Sequence, residues 1–164
     1  MNDKLIVRKA AAADFQAVSN IMDQVQSLHV EWRPDIYKPT TELLSQESYL
    51  QALSDDAFYV AEIDGNVVGV MGIQFRHVET PTHVTRDILF IDSMAVDEPF
   101  RGQGVGHAFF NKVREIAAQR NCDGIELQVN ARNAKAREMY ANYGFTEKSI
   151  NLELLNWNES AERG

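Results

Sequence analysis

The chain is poor in cysteine and proline, and it contains no long apolar run. Its 164 residues include one cysteine, Cys122, and 4 prolines. A lone cysteine cannot form an intramolecular disulfide and offers no paired-cysteine zinc pattern. No stretch approaches the roughly 20 apolar residues that a membrane helix needs, and the first residues lack the basic and apolar regions of a secretion signal. We therefore expect a cytoplasmic protein with no membrane partner.

Basic residues are scarce as well. The chain has 16 Lys and Arg against 24 Asp and Glu, giving a net charge of −8. Nucleic-acid binding depends on cationic side chains that neutralise phosphates, so we expect no nucleic-acid partner. The acidic balance favours a cationic amine substrate over an acidic one by electrostatic steering. No metal site is predicted, because ligand spacing is missing among His29, His77, His83 and His107.

Glycine is concentrated where it can matter for binding. Gly102, Gly104 and Gly106 lie between an apolar run at 88–96 and a segment with helical apolar periodicity at 108–120. Glycines at a strand-to-helix junction let backbone N–H groups approach a ligand, and the helix N-terminus attracts negative charge. The segment therefore predicts a pyrophosphate cradle.

Two common phosphate motifs do not fit this segment. The dinucleotide fingerprint G-x-G-x-x-G would require glycine where His107 or Phe109 stands, and no Lys-Ser or Lys-Thr pair follows Gly102 as a P-loop needs. Arg101, Gly104 and Gly106 instead match the Arg/Gln-x-x-Gly-x-Gly/Ala signature of the GNAT superfamily of N-acetyltransferases, which this chain resembles.

A second segment extends the resemblance. Asn133, Tyr140, Gly144 and Phe145 follow a predicted strand at 125–129, and GNAT proteins carry an Asn, a Tyr-bearing helix and a Gly-Phe pair at this spacing. The residues support the layout independently: Asn133 is a good N-cap, and positions 136, 139, 140 and 143 share a helical face. Gly144 suits a left-handed helix end against which Phe145 packs.

The remaining pattern predicts an alternation of strands and helices. The predicted strands are 5–8, 58–63, 67–75, 88–96, 125–129 and 149–155, and the predicted helices are 14–32, 41–53, 108–120 and 133–143. Segment 76–87 is either a loop or an extension of a hairpin. By resemblance, this order implies an α/β (α+β) GNAT fold in a single domain at 1–156, with a mixed, mostly antiparallel sheet, helices on both faces and a flexible tail at 157–164.

The resemblance implies acetyl-CoA as co-substrate and no metal. The pantetheine arm would lie between strands 88–96 and 125–129 and pair with the first of them, and the glycine turn would bind the pyrophosphate. The implied cofactor-binding residues are Met94, Ala95, Val96, Arg101, Gly102, Gln103, Gly104, Val105, Gly106, His107 and Asn133. Asn133 is equally explained as an N-cap alone.

The implied chemistry is acetyl transfer to an amine. An alkyl amine has a pKa of about 10.4 and must lose a proton before it attacks, while the leaving thiolate benefits from an acid. Tyr140 matches the position of that acid in the family. Gln128 stands where some relatives have a glutamate base, so Asp92 is the preferred base and Glu126 the alternative, each acting through water. Asp92 is equally explained as a solvated or cross-strand-paired carboxylate.

Acceptor specificity in the family is set by the first two helices, their loop and the loop between the middle strands. Here these regions contain His29, Glu31, Trp32, Arg33, Pro34, Tyr37 and segment 77–87. Trp32 and Tyr37 could form an aromatic wall for an amine or pack on the core. The implied acceptor is a small molecule or a peptide or protein amine, and by analogy with relatives the exposed edge strands would allow a homodimer. Two other readings stay open: a non-catalytic acyl-CoA-binding regulatory module, and an enzyme using a longer acyl donor.

Overall fold

A computed structural model describes residues 4–40 and 42–160. Its strands are β1 (Leu5–Lys9), β2 (Phe58–Ile63), β3 (Asn66–Thr80), β4 (His83–Val96) and β5 (Gly124–Leu127). Its helices are α1 (Phe15–Trp32), α2 (Gln46–Ser54), α3 (Val105–Gln119), α4 (Ala134–Asn142) and the short α5 (Trp157–Ser160). The chain divides into two compact units, Met1–Gln128 and Val129–Gly164.

The first unit contains a 5-stranded sheet in the order β1-β2-β3-β4-β5. Neighbouring strands from β1 to β4 are antiparallel, whereas β4 and β5 are parallel. The turn between β2 and β3 has positive φ at Asp64 (50°) and Gly65 (82°), which is typical of a two-residue hairpin. The mixed, mostly antiparallel sheet expected from the sequence is confirmed.

Helices cover both faces of this sheet. Val70 and Ala95 are paired across β3 and β4 and pack with Val18 of α1 in one buried cluster. Successive residues of a strand point to opposite faces. Accordingly, a Cβ built on the preceding residue, Gly69, would lie 2.9 Å from the Phe109 ring of α3. The predicted placement of helices on both faces is therefore confirmed.

Several boundaries differ from the sequence prediction: α3 begins at Val105 rather than at 108, and β5 ends at Leu127 rather than at 129. Helix α2 begins at Gln46 rather than at 41, because the hydroxyl of Ser45 caps it by accepting from the Ser48 amide at 3.1 Å; residue 41 itself lies outside the described residues. Of the two alternatives left open for segment 76–87, the hairpin extension is confirmed, since β3 continues to Thr80 and β4 begins at His83.

The second unit contains helix α4, whose two ends form as predicted. Asn133 Oδ1 accepts from the Ala136 amide at 3.2 Å, which makes Asn133 the N-cap. At the other end Gly144 has a φ of 101°. Its amide bonds to the Ala141 carbonyl and the Phe145 amide to the Tyr140 carbonyl, both at 3.0 Å. These two bonds define a Schellman motif.

The predicted final strand at 149–155 is wrong. None of these residues belongs to a strand in the structure, and the chain reaches the short α5 instead. The alternating apolar side chains Ile150, Leu152 and Leu154 are 71%, 85% and 67% exposed. Period-two alternation gives a segment one apolar face, but a strand also needs a neighbour that accepts its backbone hydrogen bonds. Of the predicted tail at 157–164, residues 161–164 lie outside the described part of the chain.

Candidate active site

The carboxyl-terminal part of β4 has an open edge. Strand β4 pairs with β3 as far as Val96, opposite Gly69. On its other side β5 pairs only with 88–91, and the last partners are Ile91 and Leu127. Within the described residues, no strand therefore pairs with 92–96 on that side. The segment includes Met94, Ala95 and Val96, whose edge can accept an extended ligand as an added strand.

A β-bulge interrupts β4 just before this open segment. Ser93 pairs with Gly72 and Ile91 with Ile73, so Asp92 is the extra residue. Bulges of this kind redirect a side chain and are frequent beside active sites. The Asp92 carboxylate accepts a hydrogen bond from Gln74 Nε2 at 2.8 Å, which holds it on the same face of the sheet as Gln74.

The sheet register brings the two candidate bases to one face. Phe90 pairs with Gln74 on one side and with Glu126 on the other, so these three residues form a row across β3, β4 and β5. Asp92 joins this face through its bond to Gln74. Glu126 has a cationic neighbour, Arg86, at 3.6 Å between Oε2 and Nη1. Gln128 follows the end of β5 and lies outside the strand.

The glycine-rich turn after β4 forms an open cradle. Gly102 and Gly104 have φ values of 79° and 87°, a left-handed conformation that residues with a Cβ adopt at a cost of about 1–2 kcal/mol. A Cβ built on either glycine would meet nothing within 4 Å, so the space above the backbone is empty. Arg101 Nε donates to the Val96 carbonyl at 3.1 Å and ties the turn to the end of β4. Gln103 Nε2 donates to the Pro99 carbonyl at 3.4 Å.

The N-terminus of α3 completes the cradle. Gly104 is its N-cap, and the first intrahelical bond of this end runs from the Ala108 amide to the Gly104 carbonyl at 3.0 Å. The amides of Val105 and Gly106 precede that bond, at the end of the helix where backbone amides have no acceptor one turn earlier. The helix dipole adds partial positive charge at the same place. The open glycines and the amides that begin the helix fit a pyrophosphate.

Tyr140 is held by the Schellman motif that ends α4. Its carbonyl accepts from the Phe145 amide, and the two rings meet edge to face with their centroids 5.6 Å apart. Burial raises the pKa of the Tyr140 phenol above its usual value of 10.0, and Tyr143 raises it further. Tyr140 therefore stays protonated at neutral pH and remains a proton donor into the alkaline range.

A groove of about 510 Å³ lies beside the Asp92 bulge. Helix α2 forms one wall, and residues of β2, β3 and β4 form the other. A Cβ on Gly72 would lie 2.8 Å from Ser93 Oγ, so a larger residue at this part of the wall would displace the Ser93 hydroxyl. The residues that line the groove are Glu47, Ser48, Gln51, Ala52, Asp55, Ala57, Phe58, Gly72, Ile73, Gln74, Asp92 and Ser93. Three of these described residues are carboxylates, and none is Lys or Arg.

The groove was not predicted from the sequence, although α2 is one of the two helices expected to set acceptor specificity, and the individual residues expected there lie elsewhere. His29 stacks on Tyr37 at 4.8 Å between ring centroids and lies 5.7 Å from Trp32, and burial lowers the pKa of His29. Arg33 Nη2 contacts Asp35 Oδ2 at 2.7 Å. These residues, with the neighbouring Glu31 and Pro34, are not among those that line the groove. No local pattern marks the groove, because its residues come from four separate elements.

The outer part of the β3–β4 hairpin contains a second predicted acceptor region. His77 bonds to Asp87 at 2.7 Å and to Glu79 at 3.0 Å, and these hydrogen bonds raise the pKa of His77. In residues 4–40 and 42–160 no group of three or more His, Cys, Asp and Glu side chains is placed to hold a metal. No helix of the described chain is long and apolar enough to cross a membrane.

Comparison with known proteins identifies the family. Residues 22–145 match the model of the acetyltransferase (GNAT) family. This match covers well over half of the sequence, so the chain belongs to the GNAT acetyltransferase family, as its glycine turn and α4 segment predicted.

Individual relatives match at lower coverage. An uncharacterised N-acetyltransferase of Methanocaldococcus jannaschii is 33% identical over 62% of this chain and 44% of its own length. The N-acetylaspartate synthetase of Homo sapiens is 30% identical over 64% of this chain and 32% of its own length. The chain thus spans less than half the length of these curated relatives. A crystal structure of a mutant Bacillus halodurans protein is similar over 92% of this chain and 98% of that one, with 25% identity and a TM-score of 0.86.

Proposed function

We propose that this protein transfers the acetyl group of acetyl-CoA to a primary amine by direct attack of the amine on the thioester. The observation that carries the proposal is the run from the open edge at 92–96 into the glycine turn and the N-terminus of α3. Such a run suits a ligand with an extended, hydrogen-bonding arm that ends in a pyrophosphate. Membership of the GNAT family supports the same ligand.

The cofactor would be held largely by backbone groups. We assign the pantetheine arm to the open edge at Met94, Ala95 and Val96, where it would bind as an added strand. The pyrophosphate is assigned to the turn and helix amides of 102–107. Asn133 caps α4 with its side-chain oxygen, and the NH₂ of the same amide would serve the pantetheine arm. Bound acetyl-CoA supplies an activated carbonyl with a thiolate leaving group.

Asp92 is the proposed base. An alkyl ammonium with a pKa of about 10.4 must lose a proton to attack. The Asp92 carboxylate lies in the wall of the groove and would receive this proton through a water. Glu126 on the same face is the alternative, although Arg86 already lies beside it.

Tyr140 is the proposed acid. As the nitrogen–carbon bond forms and the carbon–sulfur bond breaks, the Tyr140 phenol would give its proton to the departing sulfur and regain one from solvent. Its raised pKa supports this role, because the phenol is still protonated where an ordinary carboxylic acid has lost its proton. The products are an N-acetylated amine and CoA.

The groove beside Asp92 is the proposed acceptor site. Glu47, Asp55 and Asp92 give it a negative potential, which attracts an ammonium group and opposes an acidic acceptor. The name of the human relative indicates that it makes an acetylated acidic amino acid, and three carboxylates would disfavour that acceptor here. We therefore propose a cationic acceptor, either a small molecule or the amine of a peptide or protein.

Two measurements test this function together. Calorimetry would give the affinity for acetyl-CoA, and thiol release would be followed with polyamines, aminoglycosides, lysine, short peptides and aspartate as acceptors. We expect binding, release of CoA with cationic amines, and little or no release with aspartate. Binding without release for every acceptor would support the non-catalytic alternative. Absence of binding would overturn the cofactor assignment.

A further inference from the structure

The side chain of Gln24 bridges helix α1 to the start of the loop that leads into the cradle. Its Nε2 donates to Asp97 Oδ1 at 2.8 Å, and its Oε1 accepts from the Glu98 amide at 3.1 Å. The donor and the acceptor of this side-chain amide are thus both used, and their partners lie 73 and 74 residues further along the sequence. A side-chain amide provides both the donor and the acceptor that this arrangement uses.

The bridge replaces a local cap. Asp97 is the N-cap of the 3-10 turn Glu98–Phe100, yet its side chain makes no capping bond there. The Asp97 carboxylate instead binds Gln24, and Gln24 in turn satisfies the first amide of the turn. An N-terminal amide of this kind has no partner within its own turn. Gln24 therefore supplies from α1 the contact that a capping side chain would supply locally.

The contacted residues connect β3 to the cradle through backbone hydrogen bonds. The Asp97 amide bonds to the Val68 carbonyl at 2.8 Å, the Phe100 amide to the Asp97 carbonyl at 2.9 Å, and the Arg101 amide to the Glu98 carbonyl at 3.3 Å. This chain of bonds runs from β3 through the 3-10 turn to the residue before Gly102. A shift at Asp97 or Glu98 would consequently move the glycines and the first amides of α3.

We infer that Gln24 is a positioning residue for the cofactor: it acts through Asp97 and Glu98 to hold the cradle, and it does not touch the cofactor itself. The inference rests on the proposed function, which assigns acetyl-CoA to the cradle. It goes beyond that function by connecting α1 to cofactor affinity. Since misplacing amides that must meet a pyrophosphate weakens charge-assisted hydrogen bonds, loss of the bridge should raise the Kd for acetyl-CoA.

The test compares two glutamines on the same helix. Gln24→Leu removes the bridge, whereas Gln16→Leu removes only an exposed bond to Asn20 at 2.9 Å and serves as the matched control. Calorimetry with acetyl-CoA, well below the melting temperature of each variant, should show a Kd about tenfold higher for Gln24→Leu and unchanged for Gln16→Leu. In turnover, the KM for acetyl-CoA should rise while the KM for the amine stays constant.

A donor–acceptor exchange separates positioning from a general loss of stability. Gln24→Glu places a carboxylate against Asp97 and should weaken binding at least as much as Gln24→Leu. Adding Asp97→Asn returns a donor to the pair, so the double variant should recover most of the affinity. Equal Kd values for Gln24→Leu and the unsubstituted protein, or no recovery in the double variant, would overturn the inference. Failure of the unsubstituted protein to bind acetyl-CoA would overturn the proposed function instead.

Discussion

The open edge of β4 with the glycine turn that follows it and the groove beside Asp92 are two different kinds of surface. The first presents backbone: an open strand edge at 92–96, two left-handed glycines and the amides that begin α3. The second presents side chains, including the carboxylates Glu47, Asp55 and Asp92 in the groove. We assign the cofactor to the first surface and the acceptor to the second.

The difference has a physical consequence. The positions of backbone amides depend on main-chain conformation. Cofactor binding should therefore tolerate changes of side-chain charge but weaken when a glycine gains a Cβ. A surface of carboxylates depends on charge, so the acceptor surface should respond to neutral isosteres and to salt. Substitutions on one surface should leave the binding constant of the other substrate unchanged.

The largest effect is expected from Tyr140→Phe, which belongs to neither binding surface. Loss of the proposed acid should lower kcat by about 100-fold, within the usual range for general acid catalysis. The Kd for acetyl-CoA and the KM for the amine should stay the same. Since the pKa of Tyr140 is raised above 10.0, this acid should cause no fall in kcat below about pH 10 in the unsubstituted enzyme.

Tyr143→Phe is the matched control for this prediction. Tyr143 is the C-cap residue of the same helix, and burial also raises its pKa. The control should retain kcat. Equal losses for both variants, or a loss of acetyl-CoA affinity in Tyr140→Phe, would remove Tyr140 from the acid role. Stopped-flow measurement of thiol release under saturating acetyl-CoA separates the chemical step from binding.

The second largest effect is expected from Gly104→Val. A β-branched side chain at a φ of 87° strains the turn and fills the cradle. Loss of one or two charge-assisted amide contacts should raise the Kd for acetyl-CoA by about 30-fold. Gly65→Val is the control, because Gly65 has a φ of 82° and equally open surroundings in the β2–β3 turn. Both variants should melt earlier, and an equal loss of affinity in both would contradict the cradle.

The same contrast explains which features could be predicted from the sequence. The glycine turn and α4 are built by contiguous residues: Gly102 and Gly104 set a local conformation, and Asn133 and Gly144 end a helix through bonds to near neighbours. Such features depend on short spacings that a sequence displays directly. The glycine-rich turn, the ends of α4 and the fold class could therefore be predicted from the sequence.

Features made by distant residues were not predictable in this way. The groove combines α2 with β2, β3 and β4, and the bridge of Gln24 spans 73 residues to Asp97. A glutamine on a helix gives no sign that a loop will pack against it. The wrong strand at 149–155 has the same origin, because its alternation displayed an apolar face but not whether a neighbouring edge would pair with it.

A third prediction distinguishes the two candidate bases on the acceptor face. Asp92→Asn keeps the shape of the side chain and can still bond to Gln74, but it cannot receive a proton. It should lower kcat by about tenfold, less than a direct base would, because the proton passes through water. Glu126→Gln should change kcat little. The reverse ranking would transfer the role to Glu126, and two unchanged values would leave both carboxylates outside the chemistry.

The smallest effect is expected from the charges of the groove rim. Glu47 and Asp55 are exposed, so each should contribute only about 0.2–1 kcal/mol to binding of a cationic amine. Glu47→Gln and Asp55→Asn should each raise the KM for a polyamine by about threefold in low salt and less at 0.5 M salt, where the Debye length falls to about 4 Å. The Kd for acetyl-CoA should not change in either variant.

The control of equal charge is Asp64→Asn, which neutralises an exposed carboxylate in the β2–β3 turn. If it raised the KM as much as the rim variants, the net charge of the protein rather than the groove would attract the amine, and the acceptor site would have to be sought elsewhere on the sheet.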